Sequence, residues 1–115
     1  MSKWSRILEL QDQLHPGWRT NSYIYPLTLY TSGLASEVGE VCDQVIHMNN
    51  GGSQVFDAEK WNPSKLLEEI LDTYVMLVLV SAKSGFTEKD FNEAWKDVEL
   101  KLVNRVNQRH QGATG

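Results

Sequence analysis

The chain has little of what small proteins use for covalent bridges or thiolate metal sites. It contains one cysteine, Cys42, among 115 residues, which excludes an intrachain disulfide and a zinc site made of thiolates. Cys42 stands among apolar residues of a helical pattern, so we expect a small packed residue rather than a reactive thiol.

Long apolar runs and an excess of positive charge are also absent. The longest apolar run, residues 74–80, is far shorter than the ~18 residues of a membrane span, and the first residues lack the apolar segment of a secretory signal. Fifteen acids against eleven lysines and arginines give a net charge of -4, which argues against binding to a nucleic-acid polymer. We therefore expect a cytoplasmic protein that binds neither membranes nor nucleic acids.

Glycine-rich phosphate loops are missing too, since neither GxxxxGK[ST] nor GxGxxG occurs. An acidic chain can still bind phosphates when clustered carboxylates hold a divalent cation. The composition, with 41% hydrophobic and 23% charged residues, is that of a globular protein, and the length predicts a single domain spanning 1–115.

Apolar residues recur at helical spacing along most of the chain. Four helices are predicted, at about 2–14, 26–48, 63–84 and 88–110, with Asn62 and Thr87 as N-caps of the last two. Residues 49–61 are predicted to form a mobile loop and 111–115 a frayed tail. No segment alternates with a period of two, so the fold class is all-α, a four-helix bundle-like domain.

The third predicted helix has no polar face between residues 74 and 80. A monomeric bundle of this size leaves one side of such a helix in water. We therefore expect a second copy of the chain to cover it, in a homodimer or a dimer of dimers.

Two pairs of acids stand three residues apart, Glu37 with Glu40 on the second helix and Glu69 with Asp72 on the third. This spacing places both members of a pair on one side of a helix. The first pair lies at the edge of the apolar stripe of the second helix. On the third helix, the residues one to two turns after the second pair and on the same side are apolar. Glu68 projects away and is expected to be peripheral.

If the two helices pack as antiparallel neighbours, the four carboxylates converge. Converging carboxylates repel one another unless they take up protons or bind cations. Oxygen ligands favour Mg²⁺ or Mn²⁺, whereas a di-iron bundle needs Glu-x-x-His motifs, and neither pair ends in His. The alternative for either pair, taken alone, is that both acids are solvent-exposed on the surface of a helix and bind no cation.

The segments GLASEVGEV (33–41) and LEEILD (67–72), with the apolar run after the second, resemble the MazG-like members of the all-α nucleoside triphosphate pyrophosphohydrolases. The similar region spans roughly residues 27–80. The resemblance implies Mg²⁺-dependent hydrolysis of nucleoside triphosphates to monophosphate and pyrophosphate by dimers or dimers of dimers. It further implies metal ligation by Glu37, Glu40, Glu69 and Asp72. Ser36 stands where the family often has another Glu, so Glu37 and Glu40 are the candidates for orienting the attacking water.

The resemblance also suggests substrate contacts outside the acids. Family members often carry Lys, Asn and Arg near the end of the last helix, which points to Lys101, Asn104 and Arg105; the alternative is favourable pairing of cations with the helix C-terminus. Trp18 lies in a predicted loop, where it either stacks on a base or, more commonly for such a residue, caps the core. Two other functions remain open, a catalytically silent helical interaction module and a phosphoribosyl-ATP-type pyrophosphohydrolase.

Overall fold

A computed structural model describes residues 1–50 and 63–114, and within these residues all regular structure is helical. The helices are α1 (Lys3–Leu14), α2 (Leu27–Asn50), α3 (Pro63–Lys83) and α4 (Glu88–Thr114). The chain divides into two compact units, Met1–Gly85 and Phe86–Gly115. The first unit holds α1 to α3, and the second holds α4. The predicted all-α class is confirmed.

Local capping explains where α1 begins and ends. The Ser2 hydroxyl accepts a hydrogen bond from the Ser5 backbone N–H at 3.1 Å, which makes Ser2 the N-cap. After α1 the chain turns at Gly17, whose φ of +79° lies in the left-handed region that glycine adopts without steric cost. This turn directs the following Trp18 into the interior.

The core of the first unit is built around three buried side chains, Trp18, Tyr30 and Leu79. The rings of Trp18 and Tyr30 are 5.5 Å apart between centroids, within the range of favourable aromatic contact. Lys83 donates a hydrogen bond to the Trp18 backbone carbonyl, and Gln11 donates one to the Tyr30 hydroxyl at 3.3 Å. The loop after α1 is thereby joined to α1, α2 and α3.

Helices α2 and α3 form the main packed pair, and α1 also packs against α3. The pair approaches closely at Gly33, where an added Cβ would stand 2.7 Å from Cε of Met76. A glycine here leaves room for the Met76 side chain. This close packing brings the acids on the two helices near one another.

Helix ends differ from the sequence prediction in two places. Helix α2 continues through Asn49 and Asn50, so the predicted loop begins too early, and the remainder of that loop, together with the Asn62 cap, lies outside the described residues. Helix α4 reaches Thr114, so residues 111–114 are helical rather than frayed. Glycine and asparagine signals overestimated these breaks because helix propensity is a weak local preference.

Helix α4 begins at the predicted cap. The Thr87 hydroxyl accepts a hydrogen bond from the Asp90 N–H at 3.2 Å, while the Asp90 carboxylate accepts one from the Thr87 N–H at 2.9 Å. This reciprocal arrangement is a capping box with Asp in the position usually held by Glu. The hydrogen bonds from Thr87 lower the pKa of Asp90.

The apolar run in α3 is only partly covered. Val78 and Leu79 are buried, whereas Leu77 is 49% exposed. Cys42 is exposed, so its expected role as a packed residue is wrong for the structure as described. No single helix among residues 1–50 and 63–114 is long and apolar enough to cross a membrane.

Candidate functional site

Three of the four predicted acids meet between α2 and α3. Ligand oxygens of Glu37, Glu40 and Glu69 all lie within 4.8 Å of one another. Glu37 and Glu40 are on successive turns of α2, and Glu69 comes from α3. The convergence predicted from the two acid pairs is thus observed for these three residues, which we call the acid cluster.

The three carboxylates differ in their access to water. Glu69 is 2% exposed, Glu37 is half-buried and Glu40 is exposed. The cluster therefore has a buried end and an open end. The partial burial of Glu37 and the exposure of Glu40 agree with the predicted position of this pair at the edge of the apolar stripe of α2.

Two oxygens in the acid cluster lack hydrogen-bond partners. These atoms, Oε2 of Glu37 and Oε2 of Glu69, are both inaccessible to solvent. Buried polar atoms are normally satisfied, because an unpaired one carries the full cost of leaving water. Two such oxygens within one cluster of carboxylates are suitable ligand atoms for a cation.

Lys65 is a member of the site that the sequence analysis missed. Its Nζ lies 2.7 Å from Oε1 of Glu69, one helical turn away on α3. The signal was present, since a Lys and a Glu four residues apart on a helix are neighbours. The hydrogen bond to Glu69 raises the pKa of Lys65, so the ammonium group stays charged.

The proximity of the acids changes their proton affinities. A hydrogen bond with Glu69, followed by the charges of Glu69 and Glu37, raises the pKa of Glu40 to about 7. Burial is the main cause that raises the pKa of Glu37. Hydrogen bonds from Glu40 and then Lys65 lower the pKa of Glu69 despite its burial. Near neutral pH, Glu69 is ionised and Glu40 holds a proton part of the time.

Asp72 is not part of the three-residue cluster. It is half-buried one turn after Glu69, and its negative charge contributes to the raised pKa of Glu37. Its role as a fourth ligand remains a prediction. Glu68 is exposed, in agreement with the expectation that it is peripheral.

Trp18 is part of the core. Its side chain is 1% exposed, and its indole N–H donates a hydrogen bond to Oδ1 of Asp12 at 2.7 Å. Such a ring has no free face on which a nucleobase can stack. Of the two roles considered from the sequence, the structure shows core packing rather than an exposed ring for substrate contact.

The other predicted substrate contacts are on α4. Lys101, Asn104 and Arg105 are all exposed on this helix, which the structure describes as a unit of its own. Their role in binding phosphate stays a prediction.

An apolar groove of about 350 Å³ runs between α2 and α3. Ile70, which follows Glu69 directly, and Val38, which lies between the two acids of α2, are among its lining residues. The groove and the acid cluster are therefore formed by adjoining turns of the same helices. Its lining comprises Val38, Val41, Cys42, Ile70, Thr73, Tyr74 and Leu77.

Comparison with known proteins identifies no relative. No protein-family model matches the chain, and no significant match was found among curated proteins or solved structures. Arguments about function therefore rest on the chemistry of the acid cluster and on the sequence motifs.

Proposed function

We propose that the protein hydrolyses nucleoside triphosphates to the monophosphate and pyrophosphate, with Mg²⁺ or Mn²⁺ held by Glu37, Glu40 and Glu69. The observation that carries this proposal is the acid cluster itself, three carboxylates with ligand atoms within 4.8 Å and two unpartnered oxygens. An oxygen-only donor set is the one these hard cations prefer. Asp72, close enough for its charge to act on Glu37, is the proposed fourth ligand.

The division of the cluster into a buried and an open end suits this chemistry. Glu69 is held inside the protein by packing and by Lys65, so its carboxylate has a fixed position. Glu40 is exposed, which leaves that side accessible to water and to a triphosphate. A bound divalent cation supplies charge neutralisation for the phosphates and a lower pKa for a bound water.

In the proposed reaction, water attacks a phosphorus in line with the departing pyrophosphate. One P–O bond forms to the water oxygen, and the bond that bridges to pyrophosphate breaks. Glu37 and Glu40 orient the water and accept its proton, because Ser36 cannot serve as a carboxylate base. Lys101, Asn104 and Arg105 are the proposed phosphate contacts.

The proposal is tested by pyrophosphate release from ordinary, deoxy and modified nucleoside triphosphates, with Mg²⁺ and with a chelator. We expect release that depends on Mg²⁺ and is lost in Glu69→Gln, which keeps the side-chain volume. Glu68→Gln is the matched control, since it removes the exposed neighbouring acid and should retain activity. Release from no nucleotide, or full activity of Glu69→Gln, refutes the proposal.

A homodimer is part of this proposal. Ile70 and Leu77, which line the apolar groove, are each nearly half exposed, and a second copy packed on the groove would remove this apolar surface from water. The alternative phosphoribosyl-ATP-type activity shares the site and differs only in substrate, so adding phosphoribosyl-ATP to the nucleotide panel distinguishes it.

The second candidate function is a helical interaction module without catalysis. The specific observation in its favour is the ion pair between Lys65 and Glu69, which neutralises the buried acid without any metal. Thermal unfolding with Mg²⁺ separates the two functions. A cation site should stabilise the fold by about 2.7 kcal/mol when the ion is at a hundred times its dissociation constant, whereas a silent module should gain nothing.

A further inference from the structure

One row of residues on α2 faces one row on α3 along the seam between the two helices. The α2 row advances by four, three and four residues, and the α3 row goes back through the chain by the same intervals. Each row therefore stays on one side of its helix for about three turns. The α2 row comprises Gly33, Glu37, Glu40 and Gln44, and the α3 row comprises Met76, Asp72, Glu69 and Lys65.

Two contacts give the antiparallel register of these rows. At one end, a Cβ added to Gly33 would stand 2.7 Å from Cε of Met76. Seven residues later along α2 and seven residues earlier along α3, the ligand atoms of Glu40 and Glu69 lie within 4.8 Å of each other. The next layer of the seam follows when the same register is continued by four residues in each helix.

This next layer places Gln44 of α2 opposite Lys65 of α3. Oε1 of Gln44 is inaccessible to solvent and has no hydrogen-bond partner. Among the residues whose side chains the structure describes, three side-chain oxygens share this property, and the other two belong to Glu37 and Glu69. All three of these oxygens lie on the seam, so the unsatisfied polar group of Gln44 adjoins the acid cluster.

Lys65 is placed to satisfy the amide oxygen of Gln44. In the metal-free protein its Nζ lies 2.7 Å from Oε1 of Glu69, one helical turn along the seam. A cation that takes up Glu69 as a ligand competes with this ammonium group for the carboxylate. An ammonium that leaves Glu69 loses a charge-assisted hydrogen bond, and the oxygen of Gln44 on the facing helix is an acceptor that replaces it.

We propose that Gln44 is a positioning residue of the cation site, which accepts the Lys65 ammonium when Glu69 becomes a cation ligand. The exchange breaks the hydrogen bond to Oε1 of Glu69 and forms one to Oε1 of Gln44, and Lys65 keeps its charge throughout. The ammonium then lies in the layer beyond Glu40, and a buried oxygen gains the partner that it lacks. The inference rests on the cation binding of the proposed function but not on hydrolysis.

Calorimetric titration with Mg²⁺ alone tests this role in Gln44→Met, which removes the amide and keeps a long, unbranched side chain. We expect the Mg²⁺ dissociation constant to rise about three- to tenfold, a modest effect because Lys65 is half exposed. The unfolding free energy of the metal-free protein should not fall, because the oxygen that is removed has no partner. Gln13→Met, the same exchange at an exposed position of α1, is the matched control and should change neither quantity.

A double-mutant cycle with Lys65→Met separates positioning of the ammonium from direct ligation of the cation. Once the ammonium is absent, Gln44→Met should have no further effect on the Mg²⁺ dissociation constant. An equal loss of affinity with and without Lys65 would show that the amide ligates the cation itself. A lower stability of metal-free Gln44→Met would show a structural role. Either result overturns the proposal.

Failure of this inference is distinguishable from failure of the proposed function. Mg²⁺ binding that Gln44→Met leaves unchanged overturns only the role of Gln44. Mg²⁺ binding that Gln44→Met weakens, without pyrophosphate release from any nucleotide, refutes hydrolysis and supports the role of Gln44. Absence of Mg²⁺ binding by the unmodified protein overturns both.

Discussion

The acid cluster predicts a cation affinity that depends on pH in the neutral range. A carboxylate must lose its proton before it ligates a metal. Glu40, in contact with Glu69 and Glu37, has its pKa raised from an ordinary value of 4.5 to about 7. Lowering the pH through this value therefore makes protons compete with the cation for Glu40.

The size of the effect follows from the fraction of Glu40 that is ionised. With a pKa of about 7, this fraction is roughly nine-tenths at about pH 8 and roughly one-tenth at about pH 6. The apparent Mg²⁺ dissociation constant should therefore rise about tenfold over this range. A carboxylate with an ordinary pKa is fully ionised throughout and predicts no change. Glu37, whose pKa is also raised, acts in the same direction.

Isothermal titration calorimetry of Mg²⁺ binding across this range measures the effect. Titrations in two buffers of different ionisation enthalpy also give the number of protons released per bound Mg²⁺. This number should approach one near pH 6 and should be close to zero near pH 8. In Glu40→Gln we expect weaker binding without the tenfold pH dependence, while Glu68→Gln should behave as the unmodified protein. A dissociation constant that is the same at both pH values would refute the assignment of Glu40 as a ligand with a raised pKa.

Further measurements test the neighbouring parts of the site and the core. Lys65→Met removes the ammonium group bound to Glu69. We expect this variant to bind Mg²⁺ more tightly and to be less stable than the unmodified protein in thermal unfolding without metal. An unchanged affinity for Mg²⁺ contradicts competition between Lys65 and the cation. Trp18→Phe loses the indole hydrogen bond to a carboxylate, which should lower the unfolding free energy in urea by about 1–3 kcal/mol, and an unchanged value refutes this role. Gly33→Ala should change the unfolding free energy by no more than about 1 kcal/mol, because the flexible end of Met76 can move. Gly33→Leu should lower it by about 1–3 kcal/mol, because the larger side chain does not fit between α2 and α3. Equal unfolding free energies for the two variants would show that α2 and α3 do not approach closely here.

The metal-free protein should also lose stability as the pH rises through the neutral range. The folded state binds a proton on Glu40 up to a pKa of about 7, whereas in the unfolded chain this carboxyl has its ordinary value of 4.5. The folded state thus holds more protons between these values, so the free energy of unfolding falls as the pH increases from the lower to the higher. Urea unfolding at several pH values measures how the unfolding free energy changes with pH. The variant Glu40→Gln should lack this pH dependence, and a dependence that it retains would refute the assignment to Glu40.

The features predicted correctly from the sequence are those set by neighbouring residues. The helical structure of α2, the start of α3 at Pro63 and the cap at Thr87 all depend on residues within a turn or two of one another. The meeting of Glu37 with Glu69 was also predicted, on the condition that the two helices that carry them pack as neighbours. Periodicity gives the face of a helix, and only a packing partner decides what covers that face.

The features missed depend on contacts between distant residues. Core packing was one of the two roles considered for Trp18, but its contacts with the Tyr30 ring and with Lys83, sixty-five residues away in the chain, could not be read from the sequence. Cys42 was expected inside because its sequence neighbours are apolar, yet its side chain is exposed at the open groove between α2 and α3. Sequence spacing does not specify which apolar faces a small domain can cover.

The composition of the acid cluster has a consequence for how a cation would bind. In the metal-free protein the charge of Glu69 is balanced by Lys65, and that of Glu40 by partial protonation. Both compensating groups can leave, since Lys65 is on a flexible side chain at the surface and the proton exchanges with water. Cation binding is then an exchange in which one ammonium group and a fraction of a proton are displaced. Such an exchange lets the chain fold without metal, and it makes the cation affinity weaker than three free carboxylates would give. An ion that enters by exchange is readily lost at low pH, so the proposed Mg²⁺-dependent hydrolysis should slow on the acidic side together with the loss of ionised Glu40.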